Sequence, residues 1–319
     1  MKYADTGINL KNLNDLKKSI LSNYDVLLKG HYSPIIPYKK NTYFSIHVDG
    51  VGTKTIIAEK LNQWDTIGFD AVAMNVNDMC CINCKPIIAV DYIACREQNN
   101  EIIEKIIKSI TTACKKANIK LVGGETAILP DLLNGYDISV TTFGIGKINN
   151  VITGKNLKGN EIIIGLKSSG LHSNGYSLAR KVLDIEKYGK ELLKPTIIYS
   201  NYVLELCKTV NVKGIAHITG GAFSKIKRLN NTIDFYLENM PEPFGIFKPL
   251  VEIINDEKEL YSVFNMGIGM IVVVENENEV KKAINLAKKH ELIAMQIGYT
   301  RPGTGIINIK TFNGNKIEL

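Results

Sequence analysis

A chain of 319 residues is long enough for two domains, and its 45% hydrophobic and 22% charged content is that of a globular protein with a substantial core. No apolar run reaches the length of about 18 residues that a membrane span requires, and the N-terminus lacks an apolar signal core. A cytoplasmic protein whose six cysteines are reduced is therefore expected. The net charge of +7 comes from scattered lysines; with no basic block among aromatics it excludes a nucleic-acid binder and favours phosphorylated ligands only weakly.

Residues 1–10 are polar and read as a mobile arm. Residues 11–30 hold a short amphipathic helix, with Leu13, Leu16, Ile20 and Leu21 at helical spacing. A loop over 31–37 leads to an alternating run at 42–48, a strand with one buried face. The strand delivers the carboxylate of Asp49 to its end, followed by Gly50, Gly52, Thr53 and Lys54. Glycines let a backbone turn and approach a ligand closely, while hydroxyl, cation and carboxylate suit a nucleotide with its magnesium ion. This is neither the P-loop nor the dinucleotide fingerprint, and an ordinary strand-to-helix turn would read the same way.

A helix is expected over 53–63 and a second over 65–84, where Asn75 and Asp78 stand three apart and share a face. Asp78 amid so much apolar surface needs a partner or a metal, the alternative being an exposed polar stripe. Cys81 and Cys84 spell C-x-x-C without further cysteine or histidine partners, which favours buried small residues over zinc. The strand at 87–94 is apolar almost throughout, implying burial on both sides, and Asp91 interrupts it. Ile103, Ile106, Ile107, Ile110 and Ala113 mark the helix over 101–118. A short strand at 119–122 runs into Gly123, Gly124 and Glu125, and an alternating strand follows at 137–144. Asp49, Asp78 and Glu125, from three separate elements, form the oxygen-ligand pattern of a divalent metal.

The polar stretch 149–160 reads as a hinge. Beyond it a strand at 161–166 feeds Ser168, Ser169, Gly170, His172, Ser173 and Asn174, with a helix starting near Tyr176. Hydroxyls, glycines and the N–H groups of a helix start make an anion site, although Ser173 or Asn174 could simply cap the helix. A second such element carries His217, Thr219, Gly220 and Gly221 into a basic helix with Lys225, Lys227 and Arg228. The chain closes with a strand at 271–274, a lysine-rich helix over 278–290 and a hairpin over 306–318.

Taken together, DGVGTK at 49–54, DAVAMNVND at 70–78, GGETA at 123–127, SSGLHSNGYSLARK at 168–181, LLKPTIIY at 192–199, AHITGGAF at 216–223 and FNMGIGM at 264–270 resemble the phosphoribosylformylglycinamidine cyclo-ligase family. The resemblance implies an α+β chain of two α/β domains, divided as 1–150 and 151–319. The N-terminal mixed sheet would pair across a homodimer, and the C-terminal domain would hold a larger mixed sheet with helices. It implies ATP-dependent ring closure of a ribonucleotide, with ATP and Mg2+ as cofactors and neither nucleic acid nor membrane as partner. By this resemblance Asp49, Asp78 and Glu125 hold magnesium. Gly50, Gly52, Thr53, Lys54, Asn75, Gly123 and Gly124 bind the nucleotide, with Lys54 on the triphosphate. Asp91, His172 and His217 would be the catalytic groups. Ser168, Ser169, Gly170, Ser173, Asn174, Thr219, Gly220 and Gly221 would face the substrate.

The chain departs from the family pattern at Ala4, where a lysine is usual, in the loop over 30–36, which replaces a glycine-rich one, and at Ala222, where a third glycine is common. Related kinases and synthetases share the ATP motifs. Selenophosphate synthetase and hydrogenase-maturation relatives would need a cysteine before Cys80 or at the C-terminus, which is absent here. Thiamine-phosphate kinase would not need the loop at 168–176, and a non-catalytic nucleotide-binding subunit would not need to keep every carboxylate.

Overall fold

The computed structural model describes residues 16, 19–20, 26–28 and 30–319; the expected N-terminal arm and most of the helix over 11–30 lie outside the described residues. Two mixed sheets organise the chain. The first runs β1-β2-β5-β3-β4 and is built from β1 (Ile36–Lys39), β2 (Thr42–Gly50), β3 (Lys85–Cys95), β4 (Lys120–Ile128) and β5 (Tyr136–Gly146). Only β3 and β4 pair in parallel. Between these strands run α1 (Lys54–Leu61), α2 (Ile67–Cys80) and α3 (Asn100–Lys116). The period seen in the sequence of α3 buries Ile106, Ile110, Ala113 and Cys114, and Asn99 caps its start by accepting from Ile102 N at 3.2 Å.

Helix α2 lies between the two sheets, which explains its composition. All its residues except Phe69 are buried. Gly68 lets it approach α3, since a Cβ there would meet Ile110 N at 2.1 Å. The helix stops at Cys80, short of the expected 84, because the chain turns through a left-handed Asn83 at φ 57°.

The second sheet runs β12-β11-β8-β10-β6-β9-β7. Its strands are β6 (Ile162–Lys167), β7 (Val212–His217), β8 (Ile233–Leu237), β9 (Ile268–Val274), β10 (Ala294–Pro302), β11 (Ile307–Lys310) and β12 (Lys316–Glu318), the last two forming the expected hairpin. Helices α4 (Tyr176–Val182), α5 (Ile185–Leu192), α6 (Ser200–Thr209), α7 (Phe247–Ile254), α8 (Glu257–Val263) and α9 (Glu277–Lys289) accompany it, and every residue of β9 is buried. The basic helix expected after Gly221 is a 3-10 helix over Ala222–Arg228.

Two expectations need correction. Strand β4 does not end before the glycines but continues to Ile128, so Glu125 is a mid-strand residue. In β3 burial is one-sided. Val90 and Tyr92 remain exposed, because helices cover only the opposite face of the first sheet. Within the described residues no helix is long and apolar enough to cross a membrane.

Candidate active site

Alternation along β2 turns His47 and Asp49 toward α2. His47 Nδ1 lies 2.9 Å from Asn75 Oδ1, and His47 Nε2 lies 3.5 Å from Asp78 Oδ2. From the second sheet, the end of β7 brings His217, whose Nδ1 donates to Asp78 Oδ1 at 2.7 Å. Asn77 ties the same end of α2 to the second half of the chain, accepting from Tyr199 N at 2.8 Å and donating to Ile197 O at 2.9 Å. Burial pushes the Asp78 carboxyl up, but the hydrogen bond from His217 and the neighbouring His47 ring outweigh it and hold the group well below the usual carboxylate range. Asp49 is raised, first by burial and then by the charge of Asp78. Two carboxylates that repel one another across a buried site are the environment a cation would relieve.

Beside this cluster a cleft of about 240 Å³ opens between the two sheets. One wall is the turn Gly52–Thr53, and the other is formed by Ser173, Asn174, Gly220 and Gly221. Gly175 and Gly221, at φ 77° and 83°, sit at the starts of α4 and the 3-10 helix, and neither start has a side-chain cap. The cleft thus collects the nucleotide-side and substrate-side motifs into one space. Its remaining lining is Tyr176 and Ser177, inside the motif at 168–181 but not singled out in the sequence as site residues, and Ser262 and Val263 of α8, which carries no motif. His47 was missed because it reads as one more strand residue.

Several expected site residues stand elsewhere. Lys54 does not face the cleft: it is fully buried, and its ammonium pairs with Asp70 Oδ2 at 2.7 Å and donates to Lys194 O at 2.7 Å and His172 O at 3.3 Å. His172 is also fully buried; its Nε2 accepts from Ser169 N at 3.2 Å, and burial holds the ring far below its ordinary pKa. It lies within the loop and outside the cleft lining. His217 is likewise buried and directed at Asp78 instead of the cleft. Ser168 donates to Asn265 Oδ1 at 3.1 Å and Ser169 to Pro195 O at 2.6 Å, so both serve the loop's own structure. Thr219 is buried, its carbonyl accepting from Ala222 N, and Gly170 lies apart from the cleft lining.

The carboxylate trio does not assemble within one chain. Asp49 pairs in register with Val140, Val140 with Asp91 and Asp91 with Gly124, so these residues share the helix-covered face. Glu125 pairs with Tyr92 and points from the opposite, open face, where Gly123 also lies, opposite Val90. Asp91 is two strands from Asp49, about 10 Å at ordinary strand spacing. Its carboxylate occupies the space a Cβ of Gly124 would take, so Gly124 is a packing glycine here. Gly50 N donates to Asp49 Oδ1 at 2.8 Å and fixes that carboxylate. Among the described residues no group of three His, Cys, Asp or Glu side chains is arranged to hold a metal ion. Cys81 and Cys84 are buried free thiols, as the reading of small buried residues at the helix end expects.

Comparison with known proteins places this architecture. The family model described as AIR synthase related protein, N-terminal domain, matches residues 31–147, and its C-terminal counterpart matches residues 158–309. The fold is therefore that of an AIR synthase related protein, a class of ATP-using enzymes. A phosphoribosylformylglycinamidine cyclo-ligase of Methanocaldococcus jannaschii is 42% identical over 339 aligned residues, covering 99% of this chain and 95% of that one. The chain belongs to the phosphoribosylformylglycinamidine cyclo-ligase family. Solved structures share the fold at lower identity. A HypE-HypF complex superposes with a TM-score of 0.69 at 18% identity, covering 95% of this chain and 98% of that one. AaThiL complexed with AMPPCP and TMP gives 0.67 at 17%, covering 97% and 96%.

Proposed function

We propose that the protein closes formylglycinamidine ribonucleotide to aminoimidazole ribonucleotide (AIR) in the cytoplasm, consuming ATP and releasing ADP and phosphate. The observation that carries this reading is the single cleft in which Gly52–Thr53 faces Ser173–Asn174 and Gly220–Gly221, beside the Asp49–Asp78 pair. An amide oxygen is a poor leaving group. Transfer of the ATP γ-phosphoryl group to that oxygen makes it a good one; the amidine nitrogen then attacks the same carbon, inorganic phosphate departs and a proton is lost. Ring closure is intramolecular, so the protein has chiefly to orient the chain and exclude water. The backbone N–H groups at Gly175 and Gly221 suit the substrate's phosphate.

The residues fit magnesium with two protein carboxylates. Asp49 and Asp78 Oδ2 would hold it, since the 3.5 Å contact to His47 leaves that oxygen without a true hydrogen bond. Phosphate oxygens and water would complete the shell, the usual arrangement for this ion, which neutralises phosphate charge when bound. Glu125 could join such a shell only from outside its own protomer. We also propose a homodimer through the open face of the first sheet, where Ile46, Val48, Val90, Tyr92 and Ile145 are exposed side by side. The division near residue 150 would then separate a nucleotide-binding and pairing half from a substrate-binding half. Incubating the purified protein with formylglycinamidine ribonucleotide, ATP and magnesium tests the activity; absence of AIR under conditions where the ribonucleotide binds would overturn it.

A further inference from the structure

The cleft walls come from two halves of the chain, and something must set their separation. At the base of the cleft one buried ion pair reaches both. Lys54 follows directly after Thr53 of the nucleotide-side wall, and Asp70 stands in the first turn of α2. Their side chains are 2.7 Å apart and wholly buried. Every remaining bond of the pair goes to the substrate side. Lys54 Nζ donates to the carbonyls of His172 and Lys194. Asp70 Oδ1 accepts from Thr196 N at 2.9 Å, Thr196 Oγ1 at 2.5 Å and Ser173 Oγ at 3.1 Å. The Tyr176 ring lies 5.6 Å from the ammonium, and Thr66 Oγ1 donates to Leu193 O at 3.0 Å alongside.

Two features make this more than a generic interdomain tie. His172 holds a left-handed backbone at φ 61°, which a non-glycine residue sustains only when its surroundings fix it. Lys54 on its carbonyl and Ser169 N on its ring supply that fixing. Ser173, anchored on Asp70, is the cleft residue next to Asn174, so a displaced anchor moves the lining itself. A buried ion pair is also a poor way merely to glue two halves, because hydrophobic packing does that at lower desolvation cost; its advantage is a defined geometry.

We infer that Lys54 and Asp70 are a positioning pair for ring closure, setting the loop 168–175 and the segment 192–196 against the Gly52–Thr53 turn. Thr196 is the third member. The pair acts through Ser173 and Thr53 and touches neither ATP nor substrate. The inference rests on the ring-closure reading above and reassigns Lys54 within it.

The full-length enzyme provides the test. Thr196→Val keeps the side-chain volume and removes one donor to Asp70, and Thr196→Ser restores it. Thr196→Val should lower kcat/KM for the ribonucleotide about tenfold, with the KM for ATP within about twofold of wild type, and Thr196→Ser should recover most of the loss. Hydrogen exchange across 168–176 should quicken in ligand-free Thr196→Val, a readout independent of turnover. The double variant Lys54→Met/Asp70→Leu removes both buried charges together and should show the same kinetic split with ATP affinity retained. Loss of ATP binding in that variant, with ribonucleotide binding intact, would return Lys54 to the triphosphate and overturn the proposal. Wild-type kcat/KM and exchange in Thr196→Val, whatever its Tm, would reduce the pair to a structural tie. Should the double variant not fold, the Thr196 series and the exchange decide alone. Wild-type protein that makes no AIR would refute the ring-closure reading instead, and the exchange measurement would still report on the pair.

Discussion

The two sheets are built from similar valine- and isoleucine-rich strands and end in opposite situations. In the second sheet β9 is buried along its whole length, so both of its faces are covered. In the first, α2 and α3 cover one face, and on the other Val48 is 64% exposed with Ile46, Val90 and Tyr92 around it. The covered face of the first sheet carries His47 and Asp49 against Asp78, next to the cleft. Among the described residues the bare face carries apolar side chains with Ser139, Thr141 and Glu125 in register beside them. The difference fits the two tasks proposed for this sheet: chemistry on the face that α2 covers, and association on the face left uncovered among the described residues.

The comparison is broken most sharply by removing charge from the covered face. Asp78→Asn keeps the size of the side chain but cannot balance a cation as a carboxylate does. Its kcat/KM should fall about a thousandfold, roughly 4 kcal/mol of transition-state stabilisation, with secondary structure unchanged by circular dichroism. Near-wild-type turnover at ordinary magnesium would move the chemistry away from this face. Next in size is a core truncation in the sheet covered on both faces. Ile271 pairs with Gly165 on one side and Ala216 on the other, so it fills space that its small neighbours leave. Ile271→Ala should cost about 2–5 kcal/mol in urea unfolding, and a loss below about 1 kcal/mol would show that β9 is not packed on both sides.

These contrasts were only partly legible in the sequence. The elements with a clear period were found almost to the residue: α3 because its isoleucines repeat every three or four positions, and β2 because its alternation stops at Gly50. Asp49 and Asp78 stood out in the sequence because lone carboxylates in apolar surroundings need a reason, and the structure brings the two near one another. Glu125 was placed wrongly because Gly123 and Gly124 look like a strand end. In fact β4 continues beside β3, and Gly124 is small to admit the Asp91 carboxylate. Lys54 was placed wrongly because a lysine after a glycine turn fits a phosphate equally well, and nothing local reveals that Asp70 will meet it. His217 and Asp78 are 139 residues apart in the chain, so their bond belongs to the fold and not to any motif. Side-chain direction at a distance is the information that one-dimensional spacing lacks.

The bare face gives the next prediction. Val48→Asp puts a charge amid exposed apolar residues, where in an isolated chain it would be solvated at little cost. In a two-fold pair it would be buried without a partner. The dimer dissociation constant should therefore rise at least about a hundredfold while the monomer's unfolding free energy changes by less than about 1 kcal/mol. Sedimentation velocity at micromolar concentration reads the first quantity and denaturation the second. A fully active wild-type monomer would remove the pairing role of this face.

The smallest effect concerns acid stability, and it should separate the two sheets again. Glu161, at the entrance to β6, accepts from the N–H groups of Lys158 at 2.6 Å and Gly159 at 2.9 Å and from Thr300 Oγ1 at 2.5 Å. Burial pushes its carboxyl up, but these hydrogen bonds outweigh it and hold the folded pKa below the ordinary 4.5. A depressed pKa means that the folded state binds the proton less readily than the unfolded one. The stabilisation is therefore complete above about pH 4.5 and is lost as the pH falls through the lower folded value. Glu161→Gln should lower Tm at pH 7, and the gap to wild type should shrink steadily below pH 4.5. Because Glu161 ties the linker to β6 and β10, hydrogen exchange should show the acid loosening in the second sheet before the first. A gap independent of pH would mean that the N–H groups are satisfied by an amide as well as by a carboxylate, and that charge plays no part at this corner.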